Sequence, residues 1–437
     1  MKTIVLCILF LPLTAPGQQQ RKLTVDEAVQ LALENNKGLH SSWTRVEAAD
    51  ARWSEVNASR LPSLKLQGSY LRFSDVDAFA VQVPFTPSPI TISPTVLNAY
   101  SLRLTLQQPL FSGFRITSTI NAAEYSAAAA QHDFDNVKVE LSYATKAAYW
   151  NLFKAMEFKR VVTENVEQTK AHVADVNQLL KQGLATRNDV LKVDVQLSNL
   201  QLAEIDAASA IRLAMMGLNN IIGLPLETEL QLSSPIEQTS EDTLPLPRLI
   251  QEALTSRFDM RSMESHLQAS ESLVKAARGG WYPQVFLIGN YYYARPNPRI
   301  LPTRDEFKDT WDVGVNISFD LWNWMTPAHQ SAQAEATLAQ AQDALTQFRD
   351  GITFEVTQNY LEVKKAKEKL RVASRGVDQA EENHRITKSK FEAGVATNTD
   401  LLDTEVALLQ TKTNNVTAVV DYELSKAKLA KSTGRRV

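Results

Sequence analysis

Ser101-Leu-Arg-Leu-Thr-Leu-Gln107 alternates polar and apolar side chains without a break, and Gln108-Pro109-Leu110-Phe111-Ser112-Gly113 follows it directly. A period of two marks a strand with one apolar and one polar face. The pattern recurs. Leu64, Leu66, Gly68 and Tyr70 alternate with Lys65, Gln67 and Ser69, and Val313, Val315, Ile317 and Phe319 alternate with Asp312, Gly314, Asn316 and Ser318. A fourth strand is expected around Gly289 and Tyr291, which align with Gly68 and Tyr70 at a shift of 221 residues. Polar, Pro-rich loops join the strands in pairs. Four strands are too few to close a barrel, which needs about eight. Left alone they expose an apolar face and two open edges. Either helices cover this sheet, or several copies pool their strands.

The remaining sequence favours pooling. No proline occurs from Leu110 to Leu224 or from Ala328 to the C-terminus, and both stretches are rich in Ala, Gln, Glu, Lys, Leu and Val. Such segments read as long helices. Residues 114–181 would span about 100 Å at 1.5 Å per residue, far more than a domain that wraps a sheet. Leu23 to Arg60 and Leu246 to Arg278 are amphipathic, and Pro62 and Pro283 are expected to end them. Val162, Val166, Thr169, Val173, Val176 and Leu180 are spaced as a heptad seam, as are Leu402, Val406, Leu409, Thr413, Val416 and Val420. Spacing alone fits an antiparallel coiled coil or an ordinary bundle core.

The chain also repeats itself. At a shift of 221, Ala32-Leu33 falls on Ala253-Leu254 and Pro62 on Pro283. At a shift of 211, Leu110 falls on Leu321, Tyr149 on Tyr360, Gly183 on Gly394, Asp189 on Asp400 and Gly223 on Gly434. The period is far longer than that of solenoid repeats. The expected organisation is a first repeat over 18–223, a linker over 224–245 and a second repeat over 246–437. Each repeat reads helix, two strands, long helical hairpin.

Composition sets outer bounds. The chain has 437 residues, 44% apolar and 22% charged, with a formal charge of −3 and a mean hydropathy of −0.23. That is ordinary for a folded protein and excludes wholesale disorder. It gives no support to nucleic-acid binding. A polytopic helical membrane protein is excluded for want of long apolar runs, whereas a β-barrel is not. Lys2, the apolar run Ile4 to Leu13 and Ala15-Pro16-Gly17 read as an export signal over 1–17. Its removal would take away Cys7, the only cysteine, and with it every thiolate chemistry.

The turns inside the hairpins carry the sharpest signal. They read Gly183-Leu-Ala-Thr-Arg-Asn-Asp189 and Gly394-Val-Ala-Thr-Asn-Thr-Asp400. Glycine suits the left-handed residue that stops a helix. Thr186 and Thr397 suit the next N-cap, and Asp189 and Asp400 suit the acidic position of a capping box. Asp403 lies one turn beyond Asp400 on the same helical face. Repeated around a symmetry axis, these two carboxylates would form stacked anionic rings able to select cations. A solvated helix face explains Asp403 equally.

With these residues in hand, the chain resembles the TolC-like outer-membrane efflux protein family. The duplicated halves, the Gln108 to Gly113 segment and the two Gly-x-Ala-Thr-x-x-Asp turns carry the resemblance over essentially the whole mature chain. It implies a mixed α and β membrane protein. A homotrimer would give four strands per chain to a 12-stranded outer-membrane barrel, continued by a long helical periplasmic tunnel. It implies the exit duct of a tripartite export system in the outer membrane of a Gram-negative bacterium, partnered by a periplasmic adaptor and an inner-membrane pump, with no cofactor. Asp400 and Asp403 match an acidic pair at the entrance constriction, and Asp189 an acidic residue linking neighbouring helices. Gly183, Ala185, Thr186, Gly394, Ala396 and Thr397 match the tip that meets the adaptor. Phe391 stands where the family has a tyrosine, and Ala396 where it has an arginine. Arg187 is the candidate to replace those gate contacts.

Other features are less specific. Trp281, Trp311, Trp322, Trp324 and Tyr291 to Tyr293 fit an interfacial aromatic girdle or packing inside a soluble sheet. The six histidines show no metal-ligand spacing, and no catalytic motif is present, so no enzyme activity is expected. The alternatives are a secreted coiled-coil protein or the periplasmic adaptor itself. The first leaves the strands unexplained, and the second has one hairpin and many more strands.

Overall fold

A computed structural model describes residues 21–93, 95–234 and 244–435. The expected export signal lies outside them. In chain order the elements are β1 (Arg21–Leu23), α1 (Val25–Asn35), α2 (Lys37–Ala58), β2 (Ser63–Arg72), β3 (Phe79–Val81), β4 (Ile90–Ser93), β5 (Asn98–Phe111), α3 (Arg115–Lys181) and α4 (Arg187–Ile222). Then follow β6 (Leu230–Leu232), α5 (Leu246–Ser256), α6 (Phe258–Arg278), β7 (Gln284–Arg295), β8 (Lys308–Ser318), α7 (Thr326–Glu392) and α8 (Asn398–Ser432). The order α1-α2-β2-β5-α3-α4 returns as α5-α6-β7-β8-α7-α8. Helices α3 and α7 have 67 residues each. Among the described residues no helix is long and apolar enough to cross a membrane.

The chain divides into two compact units, and each half of the sequence contributes to both. One comprises the described residues of Met1–Trp43, Asp133–Met260 and Arg349–Val437; the other comprises Thr44–His132 and Arg261–Phe348. The second unit holds a four-stranded antiparallel sheet in the order β2-β5-β7-β8. Leu64, Leu106, Gly289 and Val313 share one register row, and Leu66, Leu104, Tyr291 and Trp311 the next. Successive strand residues point to opposite faces, so these rows make one apolar face. It is bare: Leu64, Leu66, Trp311, Val313, Val315 and Ile317 are between 59% and 71% exposed. Strand β8 ends at Ser318, one residue short of the expected Phe319. The first Pro-rich loop contains the small hairpin β3-β4, which sequence alternation did not reveal.

The first unit has a buried core built from Leu23, Ala28, Ala32, Tyr149, Leu152, Leu218 and Ile222. Leu23 does not begin a helix, as its spacing suggested. It lies in β1, which pairs in parallel with β6 inside the expected linker. Thr24 then caps α1, its hydroxyl accepting from the Glu27 amide at 3.2 Å. The two amphipathic stretches are also broken. Asn36 (ψ 120°) and Arg257 (ψ 134°) turn the chain to extended geometry between α1 and α2 and between α5 and α6. The reason is tertiary. Asn36 donates to the Ile221 carbonyl at 3.1 Å, and Arg257 donates to the Ser432 carbonyl at 3.1 Å and to Glu355 at 2.7 Å. Each break is thus tied to the C-terminal end of a hairpin. There the chain turns through Gly223 and Gly434, where an added Cβ would come within 2.6 Å of Asn35 Cβ and 3.0 Å of the Arg257 amide nitrogen.

The first heptad seam is met, with Val162, Val166, Thr169 and Val176 all buried. The second is met in part. Val420 is buried, and Leu402 and Leu409 pack partly buried against the valines of α3 and α4. Val406 is 46% exposed, however, and α8 also buries Leu401, Glu405 and Leu408, a stripe one position earlier along the helix.

Candidate functional site: the hairpin turns

The two turns are built alike, bond for bond. In the first, the amides of Gly183 and Leu184 donate to the carbonyls of Leu180 and Leu179 at 3.0 and 2.8 Å. In the second, Gly394 and Val395 donate to Phe391 and Lys390 at 2.9 and 2.8 Å. Gly183 and Gly394 sit at φ +75° and +73°, and a Cβ there would meet nothing within 4 Å. Their glycine is required by backbone angle, not by space.

Beyond the glycines, Thr186 and Thr397 cap α4 and α8 with complete capping boxes. Asp189 Oδ2 accepts from the Thr186 amide at 2.9 Å and hydroxyl at 2.6 Å. Asp400 Oδ2 accepts from the Thr397 amide and hydroxyl at 2.8 and 2.6 Å. The threonine hydroxyl, then the threonine amide, holds each carboxyl below its ordinary range. Both therefore stay charged at neutral pH, with one oxygen fixed by the turn. Asp403 is exposed on the following turn of α8.

The structure brings the two turns together. Asn398 Nδ2 donates to the Asp189 carbonyl at 3.2 Å, and Lys192 Nζ donates to Thr399 Oγ1 at 3.3 Å. Arg187 stands exposed at the start of α4, with no hydrogen bond or ion pair among the described residues of this chain. Phe391 packs with Val176, Val190 and Val193 and meets the His172 ring edge-on, centroids 5.4 Å apart. The surroundings of Phe391 are thus apolar and aromatic.

Sequence reasoning missed the groups that join the hairpins below the turns. His172 on α3 pairs with Glu405 on α8, Nδ1 to Oε1 at 3.2 Å, both nearly inaccessible. Lys412 reaches Glu164 and Glu381 at 3.1 and 3.3 Å. His384 lies close by, its Nδ1 3.4 Å from Thr404 Oγ1, and burial lowers its pKa. Glu164, His172, His384 and Glu405 line a cavity of about 410 Å³. His172 and Glu405 are 233 residues apart, and neither occupies an expected seam position, so no local pattern betrays the pair. Among the described residues no cluster of three His, Cys, Asp or Glu is arranged to hold a metal.

The profile of the outer membrane efflux protein family matches residues 28–224 and 249–435, nearly the whole chain in two segments. The chain belongs to the outer membrane efflux protein family. It is 22% identical to the alkaline protease secretion protein AprF of Pseudomonas aeruginosa, over 92% of this chain and 82% of that protein. It is 23% identical to the solvent efflux pump outer membrane protein SrpC of Pseudomonas putida, over 92% and 83%. Among solved structures, the outer-membrane channel OprN superposes with a TM-score of 0.78 at 22% identity, covering 94% of this chain and 89% of that one. The fold class is thus a mixed α and β outer-membrane channel fold, with four strands and two long helical hairpins per chain. The protein is an outer-membrane component of an efflux or secretion system. The family is one of channels rather than enzymes, and the coiled-coil and adaptor alternatives fall away.

The aromatic residues divide. Trp281, Trp311, Trp322 and Trp324 are 49% to 80% exposed, so they do not pack inside a soluble sheet. Tyr292 belongs to the opposite, polar face of the sheet, where Arg103 and Arg299 lie over its ring.

Proposed function

We propose that three copies of this chain form the exit duct of a tripartite system, each giving β2, β5, β7 and β8 to one closed barrel. The observation that carries this is the sheet. It has one neighbour missing at β2 and one at β8, and a bare apolar face that only lipid or another chain can cover. The hairpins of the three copies would line the periplasmic passage. The two structural repeats, 18–223 and 246–437 around a linker at 224–245, supply equivalent parts of that wall.

The hairpin turns form its inner end. Gly183, Ala185, Thr186, Gly394, Ala396 and Thr397 meet a periplasmic adaptor, which couples the duct to an inner-membrane pump. Asp400 and Asp403 face the opening as an anionic pair, and Asp189 and Arg187 link neighbouring helices there. The capping box supports this, because it fixes where the Asp400 charge sits.

Purified protein reconstituted in planar bilayers tests both levels. A duct migrates as a cross-linkable trimer, conducts, and is blocked by multivalent cations from the hairpin side. Asp400→Asn with Asp403→Asn should weaken that block at least tenfold. Intact conductance with unchanged block would remove the gate assignment; a monomer without conductance would remove the duct.

A further inference from the structure

The polar face of the sheet carries a cationic cluster that is unlike the acidic hairpin turns. Lys65, Thr105, Asn290 and Asp312 share one register row, and Gln67, Arg103, Tyr292 and Thr310 the next. Arg103 donates to Asn290 Oδ1 through Nε and Nη2 at 3.1 and 2.8 Å, and Thr105 donates to the same oxygen at 2.9 Å. Asn290 Nδ2 then donates to Asp312 Oδ1 at 2.8 Å. The other Asp312 oxygen pairs with Arg299.

Arg299 is not a strand residue. It belongs to the loop between β7 and β8, and that loop is pinned onto the polar face. Asn297, 2% exposed, donates to the Lys308 carbonyl at 3.0 Å and to Thr310 Oγ1 at 3.2 Å. The Arg299 amide donates to Asn297 Oδ1 at 3.0 Å, and its Nη1 to the Trp311 carbonyl at 3.3 Å. The guanidinium carbons of Arg103 and Arg299 lie 5.1 and 4.8 Å from the Tyr292 ring centroid.

Charge on these two rows does not cancel. The two rows and Arg299 together carry three cations, Lys65, Arg103 and Arg299, and one carboxylate, Asp312. A guanidinium has five donors, and the bonds above use two of each. In a barrel the apolar face meets lipid and the polar face lines the lumen. Arg299 therefore leans inward from the loop-bearing mouth, 44% exposed.

We infer that Arg103, Arg299 and Lys65 form an anion-binding constriction at the loop-bearing mouth, taking carboxylate, phosphate or sulfate groups of passing solutes. The inference rests on the three-copy barrel, which would repeat the cluster around the lumen. Planar guanidinium donors suit such oxyanions bidentately, and a low-dielectric wall with one counter-charge leaves them attractive to anions. The two ends of the duct would then select opposite charges.

The test is single-channel recording of the wild-type trimer with inorganic phosphate added to the loop-bearing side. Phosphate should block from that side. Arg103→Gln with Arg299→Gln should raise the half-blocking concentration about tenfold, as loss of charged hydrogen bonds implies. Asp312→Asn, which keeps the size and both arginines, should lower it. Cation block from the hairpin side should stay as in wild type for both variants. Unblocked wild-type channels, or block unchanged in both variants, would overturn the constriction. Failure of the wild-type protein to trimerise and conduct would overturn the barrel instead.

Discussion

At Gly183 and Gly394 one backbone angle decides whether a long helix can reverse. Alanine there meets no neighbour, so its cost is the left-handed conformation alone, about 1 kcal/mol at each turn. Hydrogen exchange of the two turns should accelerate in Gly183→Ala and Gly394→Ala while the sheet amides stay as in wild type. Asp189 and Asp400 act one step further on. Their carboxyls are held below the ordinary value of 3.8, chiefly by the threonine hydroxyls. A depressed folded-state pKa stabilises fully above that ordinary value and is lost as pH falls through the lower folded one. The turns should therefore hold their order down to about pH 4 and loosen below it. A spin label at exposed Val395, in the turn that Asp400 caps, would report this as a rise in mobility. Asp400→Asn should reproduce part of that rise at neutral pH. Asp403→Asn should not, because Asp403 lies outside the capping box. That contrast separates capping from charge selection at neighbouring residues.

Among the helices, side chains distant in sequence settle what local pattern leaves open. The α3 seam was legible because Val162, Val166, Thr169 and Val176 are themselves apolar or small and repeat in register. The α8 stripe was legible only in part, because it also buries Glu405, a polar side chain whose partner His172 lies far away on α3. Breaking this pair should be expensive. Glu405→Ala leaves a buried imidazole without its partner and should destabilise the protein by about 3 kcal/mol. The double variant His172→Leu with Glu405→Leu should recover most of that loss. Thermal unfolding in detergent compares the two. The helix breaks at Asn36 and Arg257 have the same origin. Each side chain bonds to the end of a hairpin far along the chain, so continuous amphipathic spacing could not reveal the interruption. Gly223→Ala should weaken the first of these joints by at least 1 kcal/mol, since its Cβ would press against Asn35.

For the whole molecule, the decisive quantity is the apolar face of the four-stranded sheet. Val313 lies at the centre of β8 and is 66% exposed. Arginine there would face hydrocarbon and should cost about 2–4 kcal/mol of barrel stability. Val313→Arg should therefore accumulate as unassembled, protease-sensitive chain in outer-membrane fractions. Gly314→Arg, one residue on and directed to the polar face, should assemble as wild type.

The sequence by itself determined the four strands, the two long hairpins and the capped turns, and it favoured pooling of strands between copies. Those features follow from short-range periodicity, from the backbone demands of Gly, Pro and Thr, and from the arithmetic of strands per barrel. Only the tertiary structure decided the break points of the shorter helices, the burial of Glu405 in α8, the His172–Glu405 pair and the Arg299–Asp312 pair. Each of these depends on a polar side chain finding one partner, and such partnership leaves no period along the chain. Apolar burial is additive and repeats with the geometry of its element, whereas a buried hydrogen bond or ion pair is a single event fixed by where two distant segments meet.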